Sequence, residues 1–309
     1  MKHCILAALF ALSFVITHAK TVVGFAQTGS ESNWRTANTA SIKAEAEKQG
    51  IELRFVDAQS NVERQIQAVR GFITDKVDAI ILAPLVVSGW EPVLQQAKAA
   101  GIPVVIMDRK IVADPGLFAT FIGSDFSKEG QMAAEWLLTN SGQKRKIVEL
   151  QGEPGSSAAN ERQRAFASTM ARHTDKGFRI VARKVGNFRR EEGRAAMEEL
   201  LKAHGNDIEI VFAHNDDMAL GAIEALEAAG KKPGDDVVVV SIDAVKPAVE
   251  AVVAGKLNCT VECNPLFGPK VMDAVLKLTT GGSVVKEVYN KDIVIDRTNA
   301  AQLLPSRQY

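Results

Sequence analysis

The chain is poor in what several specialised classes of protein need. Three cysteines in 309 residues cannot build a disulfide framework, and no Cys-x-x-Cys or zinc-ligand spacing occurs. Cys259 and Cys263 lie on or beside an expected strand, where four residues span roughly 13 Å. The Cα atoms of a disulfide stand within about 7 Å of each other, so both are expected to be free thiols. Basic and acidic residues balance at 37 each. The cationic surplus that favours nucleic acid or an anionic membrane surface is therefore missing. After residue 19 no apolar run approaches the roughly 20 residues that span a bilayer. Catalytic signatures are missing as well. No Gly-x-Gly-x-x-Gly follows a strand, so a dinucleotide has no phosphate turn. Gly152-Glu153-Pro154-Gly155-Ser156-Ser157 is not followed by the Lys-Ser/Thr of a P-loop, and no Gly-x-Ser-x-Gly elbow occurs. His173, His204 and His214 have no metal-ligand spacing to one another. No metal and no cofactor is expected.

What is present begins with a distinct leader. Lys2 and His3 precede an apolar run from Cys4 to Ile16, and Thr17-His18-Ala19 offers small residues for cleavage. Residues 1–19 read as a secretory signal peptide, too short to span a membrane, with a mature start at Lys20. Cys4 stands at the head of the run, which argues against a lipid anchor. From Thr21 onward strand and helix patterns alternate. Strands are expected over 21–26, 51–56, 79–82, 102–107, 118–122, 146–150, 179–184, 208–213, 237–242, 258–262 and 293–295, with helical patterns in most of the gaps. Such alternation implies doubly wound parallel sheets, and there are too many strands for one sheet. Two similar α/β domains with facing loops would bury a ligand between them. No low-complexity linker separates the halves, which fits a hinge of several close strand crossings.

The pivotal stretch is Ile102-Pro103-Val104-Val105-Ile106-Met107-Asp108-Arg109. Four apolar residues in a row make a short strand buried on both faces. It ends in an acid and a base at the carboxyl end, where open α/β folds hold ligands. Neighbouring side chains on a strand point to opposite sides, so Asp108 and Arg109 are not expected to be a simple pair. A carboxylate accepts hydrogen bonds from hydroxyls and a guanidinium donates them in a planar fork. Together they suit an uncharged, polyhydroxylated ligand such as a sugar. Similar chemistry recurs at other strand ends: Glu31, Ser32, Trp34 and Arg35 in the first half, and Arg162, Phe188, Asn215 and Asp243 in the second. Each has a plainer reading. Ser32 and Asn215 suit helix caps, Arg162 a solvated helix charge, Phe188 a core position. Their recurrence in both halves favours the ligand reading. Asp108 and Asp243 also have the chemistry of a glycosidase pair. Arg109 beside Asp108 weighs against it, because it favours a permanently ionised carboxylate over a general acid.

These stretches resemble the pentose- and hexose-binding family of periplasmic binding proteins that serve ABC importers. The resemblance covers essentially the whole mature chain. It is carried by Gly101-Ile102-Pro103 running to Met107-Asp108-Arg109, by Glu149-Leu150-Gln151-Gly152 with Glu161-Arg162, by Phe212 to Gly221, and by Ser241-Ile242-Asp243. Gly29 to Arg35 and Ser88 to Leu94 look most like the galactofuranose-binding members. The resemblance implies two doubly wound parallel-sheet domains joined by a hinge of three crossings. One would comprise residues 20–122 and 264–292, the other 123–263 and 293–309. It implies that Asp108, Arg109, Arg162, Asn215 and Asp243 hold sugar hydroxyls. Glu31, Ser32, Asn33, Trp34 and Arg35 would supply first-loop contacts, with Trp34 as an aromatic platform, and Phe188 would join them. It also implies a periplasmic monomer with no catalytic activity, partnered by a monosaccharide and by a permease coupled to its ATPase. Ribose binders carry two consecutive aromatics where this chain has Trp34-Arg35, and glutamine where it has Cys263. Both departures argue against ribose. Family members commonly have Gly where this chain has Ala244. The similar effector cores of sugar-responsive repressors need a helix-turn-helix, and the apolar leader takes its place here. A secreted furanoside-acting glycosidase is the alternative from the enzyme class, and a role in sensing uses the same closed form.

Overall fold

The computed structural model describes residues 20–309; the expected signal peptide lies outside them. Twelve strands and ten α-helices alternate along these residues. The strands, numbered in chain order, are β1 (Val22–Gln27), β2 (Glu52–Asp57), β3 (Ala79–Leu82), β4 (Val104–Met107), β5 (Thr120–Gly123), β6 (Lys146–Gln151), β7 (Arg179–Val185), β8 (Ile210–Ala213), β9 (Val238–Asp243), β10 (Cys259–Glu262), β11 (Glu287–Tyr289) and β12 (Val294–Asp296). They form two six-stranded sheets. One has the order β11-β5-β4-β3-β1-β2, the other β12-β10-β9-β8-β6-β7. Every pairing is parallel except β10 with β12.

Hydrophobic runs explain the centre of each sheet. Ala79-Ile80-Ile81-Leu82 and Ile210-Val211-Phe212-Ala213 are fully buried, as strands covered by helices on both faces must be. Each such Ile, Val or Leu contributes about 1.5–3 kcal/mol by leaving water. The helices are α1 (Asn33–Lys48), α2 (Val62–Thr74), α3 (Glu91–Ala99), α4 (Phe126–Asn140), α5 (Ser157–Ala171), α6 (Arg190–His204), α7 (Asp216–Ala228), α8 (Lys246–Val253), α9 (Gly268–Thr279) and α10 (Ala300–Leu303). Helices α1 and α9 pack together beside the first sheet, and α4 with α5 and α6 with α7 beside the second. By spacing alone Ile66, Val69 and Ile73 would form the inner face of α2, but the observed face is shifted. Gln65, Val69 and Phe72 are the buried residues of α2, because Gln65 turns inward to bond the carbonyls of Ala26 and Ala83.

The chain passes between the two sheets three times: from β5 into α4, from β10 into α9, and from β11 into β12. Expected and observed strands agree within two residues at each end, apart from β11, which the sequence pattern does not signal. Its three residues sit at a sheet edge with Glu287 and Tyr289 exposed. Two parallel-sheet α/β domains joined in this way form the periplasmic binding protein type I fold.

Candidate functional site

The carboxyl ends of both sheets meet at one polar cavity. Glu31, Ser32, Trp34, Arg35, Asp108, Arg109, Arg162, Phe188, Asn215 and Asp243 line it, together with Phe126, Ala158 and Cys263. Ten of the eleven candidate residues thus converge. Asn33 does not line the cavity. Its backbone N–H and its side-chain amide both donate to Asp217, at 3.0 and 3.1 Å.

Local backbone geometry aims these groups. Strand β4 ends at Met107, and Asp108 takes a left-handed conformation with φ of 65°. The strand alternation that would place Asp108 and Arg109 on opposite sides therefore stops one residue too early to apply. Both side chains turn into the cavity, with Arg109 Nε 3.9 Å from Asp108 Oδ2. Phe188 (φ 62°), Asp243 (φ 126°) and Ala244 (φ 59°) are also left-handed without being glycine. Such strain persists where surrounding structure over-determines it, typically at ligand clamps. Ala244 takes the conformation for which glycine is the usual choice, held by the hydrogen bond from its N–H to Thr260 Oγ1. Ser32 and Asn215 do cap helices, accepting from the N–H groups of Arg35 and Met218, and they line the cavity as well. The plainer reading of Arg162 fails, since its side chain is buried. Two glycines permit the packing. A Cβ on Gly130 would meet the Arg162 carbonyl at 2.4 Å, and one on Gly152 would meet the Phe188 ring at 2.0 Å.

Charge is organised in two clusters. On the side of the first sheet, Arg35 Nε bonds Glu31 Oε1 at 3.0 Å and Nη2 lies 2.7 Å from Asp108 Oδ2. Arg109 donates to the Leu85 carbonyl and approaches Glu31 at 3.5 Å. Burial alone would raise the Glu31 carboxyl, but Arg35 and Arg109 together hold it below its ordinary value. Burial and the neighbouring Arg35 lower Arg109. Glu31 Oε2 and Arg109 Nε are buried without hydrogen-bond partners, and Asp108 Oδ2 has only its ion pairs. On the side of the second sheet, Arg162 bonds Glu129 at 2.8 Å, the His214 carbonyl at 2.6 Å and Asp243 at 3.4 Å. Burial pushes Glu129 up to about 8 against the pull of Arg162. Burial also raises Asp243 well above its ordinary value, against the pull of Arg162.

Aromatic groups fill the remaining wall. The Arg109 guanidinium lies 5.3 Å from the centre of the Phe188 ring, and that of Arg162 5.0 Å from Phe126. Trp34 packs edge-on against Phe267 and donates from Nε1 to the Cys263 carbonyl at 2.6 Å. Cys259 and Cys263 are free thiols, both buried. The sequence reading missed Phe126, Ala158 and Cys263 as lining residues. Phe126 stands three residues past the end of β5, the position relative to a strand end that singled out the others. Among the described residues no group of His, Cys, Asp and Glu is placed to hold a metal ion, and no helix is long and apolar enough to cross a membrane.

Comparison with known proteins places this geometry. Residues 23–282 match the model of the periplasmic binding protein domain. The galactofuranose-binding protein YtfQ of Escherichia coli K12 is 42% identical over 282 residues, 90% of this chain and 88% of that one. A Mycobacterium smegmatis protein in complex with β-D-fucofuranose superposes with a TM-score of 0.89 at 45% identity, covering 93% of this chain and 95% of the other. The binding protein of the arabinose ABC transporter from Shewanella sp. ANA-3, bound to α- and β-L-arabinofuranose, gives 0.89 at 44% identity over 93% and 96%. With a family match across most of its length, relatives of this identity, and a polar cavity between two parallel-sheet domains, the chain belongs to the periplasmic binding proteins.

Proposed function

We propose that the protein captures a monosaccharide in its five-membered ring form, galactofuranose in first place, between its two domains and hands it to an ABC importer. The observation that carries this reading is the convergence of unpartnered hydroxyl-binding groups on one polar cavity between the domains: Glu31 Oε2 and Arg109 Nε, with Asp108 Oδ2 beside them. A sugar supplies the missing partners, because each hydroxyl both donates and accepts. The furanoses named with two of the related structures support the ring size. In this reading Glu31, Ser32, Trp34, Arg35, Asp108 and Arg109 form the half of the site in the domain of residues 20–122 and 264–292. Arg162, Phe188, Asn215 and Asp243 form the half in the domain of residues 123–263 and 293–309. Trp34 and Phe188 cover the C–H surface of the ring. The protein works as a periplasmic monomer after loss of residues 1–19, and reaches the importer's ATPase through the permease.

No catalytic step is assigned. Asp243 is tied to Arg162 and Asp108 to Arg35, which suits carboxylates that accept hydrogen bonds. Calorimetry against D-galactose, D-fucose, L-arabinose and D-ribose, with furanose- and pyranose-locked derivatives, tests the proposal. Tightest binding to a galacto-configured furanose is expected. Equal affinity for ribose, preference for a pyranose-locked sugar, or release of free sugar from a furanoside would overturn it.

A further inference from the structure

Among the described residues, four hydrogen-bonded links join the two domains away from the three crossings. Val87 N–H donates to the Gly155 carbonyl, Lys110 N–H to Ser157 Oγ, Arg189 Nη2 to Ser60 Oγ, and Asn33 to Asp217. The last differs in kind. Two donors of one residue, the backbone N–H and Nδ2, take the two oxygens of a single carboxylate. Asp217 is 5% exposed, and hydrogen bonds to a charged acceptor are the stronger class. Its position matters equally. Asn33 lies between Ser32 and Trp34, and Asp217 stands two residues after Asn215; those three neighbours line the cavity, whereas Asn33 and Asp217 do not. The pair therefore ties together the two segments that would face the sugar from opposite domains, without touching it.

We infer that Asn33 and Asp217 are positioning residues that hold the domains shut and set how long the sugar stays bound. The inference rests on the proposed sugar-binding reading for its ligand but not for its geometry. Opening must break this pair before the sugar leaves, whereas capture by the open form does not involve it. Loss of the pair therefore appears in the release rate.

The test uses the full mature chain, with stopped-flow tryptophan fluorescence on D-galactose and L-arabinose, and lobe separation read by spin labels on α2 and α6 without sugar. Asp217→Ala removes both hydrogen bonds and should speed release by about tenfold or more, with the association rate within about twofold. Asn33→Ala leaves the backbone donor in place and should have a smaller effect. The double variant should be no worse than Asp217→Ala alone, since both act through one carboxylate. Asp217→Asn, which preserves side-chain size, should fall between. The labels should report a more open mean distance in Asp217→Ala. Unchanged release together with unchanged label distance would overturn the inference, as would additive effects of the two alanine variants. If the wild type binds neither sugar, the ligand reading fails while the label distances still decide the latch.

Discussion

Truncating Arg109 and Arg162 separately should pull binding apart from stability. Arg162 connects Glu129 and Asp243 and also holds the His214 carbonyl. Arg162→Ala leaves two buried carboxyls without their cation, and breaking a buried pair in this way costs about 3–5 kcal/mol. At about 2–4 °C per kcal/mol for a domain of this size, melting should fall by roughly 6–20 °C. Arg109 is held differently. It donates one hydrogen bond, to the Leu85 carbonyl, and its Nε has no partner. Glu31, its nearest carboxylate, keeps Arg35. Arg109→Ala should therefore lower the melting temperature by less than half as much. Its effect falls on the ligand, since one hydrogen bond from a charged donor is worth about 1.5–3 kcal/mol, a factor of roughly 10–150 in Kd. Scanning calorimetry and titration calorimetry on both variants decide the matter. Arg162→Ala melting within about 3 °C of wild type, or Arg109→Ala binding within about threefold, would refute the division of labour.

Other expectations are as direct. Gly152→Ala places a methyl 2.0 Å from the Phe188 ring; displacement of that ring into the cavity should weaken binding at least about tenfold in calorimetry. Arg35→Phe, the swap that sequence comparison with ribose binders invites, should not switch specificity. Arg35 holds Glu31, Gln27 and Asp108, so the variant should lose about 3–5 kcal/mol in chemical denaturation instead. Glu129 has a folded pKa of about 8, above its ordinary 4.5. Its proton is bound more tightly in the folded state, so its contribution is complete below the unfolded value and is lost as pH rises through about 8. Wild-type melting temperature should therefore decline between about pH 5 and 9, and Glu129→Gln, which resembles the protonated acid, should show a flatter profile.

Much of this was legible in the chain because hydrophobic runs and strand ends are local signals. Val104 to Met107 announces a buried parallel strand, and the polar residues just past such strands are the ones that converge. What the sequence could not show is which of two hydrogen-bonding surfaces a side chain uses. Asn33 belongs to the same loop as Ser32 and Trp34, yet its partner lies 184 residues away, in the other domain. Arg35 is expected among the first-loop contacts, and three partners already occupy it. Asp108 and Arg109 should diverge by strand alternation, but a left-handed residue cancels the rule, and an Asp, though enriched at positive φ, does not announce it as glycine does. Glu129 is silent for a different reason. Nothing in an amphipathic helix marks the one acid that turns inward, and it does so only because Gly130 lets α4 settle on Arg162.

The charges also bear on what kind of molecule the cavity accepts. Six charged side chains line it, with Glu129 behind Arg162, a density that at first suggests an ionic ligand. Glu31 and Asp108 are matched by Arg35 and Arg109. Arg162 faces two carboxyls, Glu129 and Asp243, and burial pushes both upward. Each charge around the cavity therefore has an opposite neighbour within the site. Paired in this way, the groups present oriented hydrogen-bond donors and acceptors, which favours a neutral sugar over a sugar acid or phosphate. Ionic strength should accordingly have little influence. Between about 0.05 and 0.5 M NaCl, where the screening length contracts severalfold, Kd for D-galactose should move by less than about twofold. A steep weakening with salt would mean that a net charge on the protein meets an opposite one on the ligand, and that the two clusters are not balanced as their geometry requires.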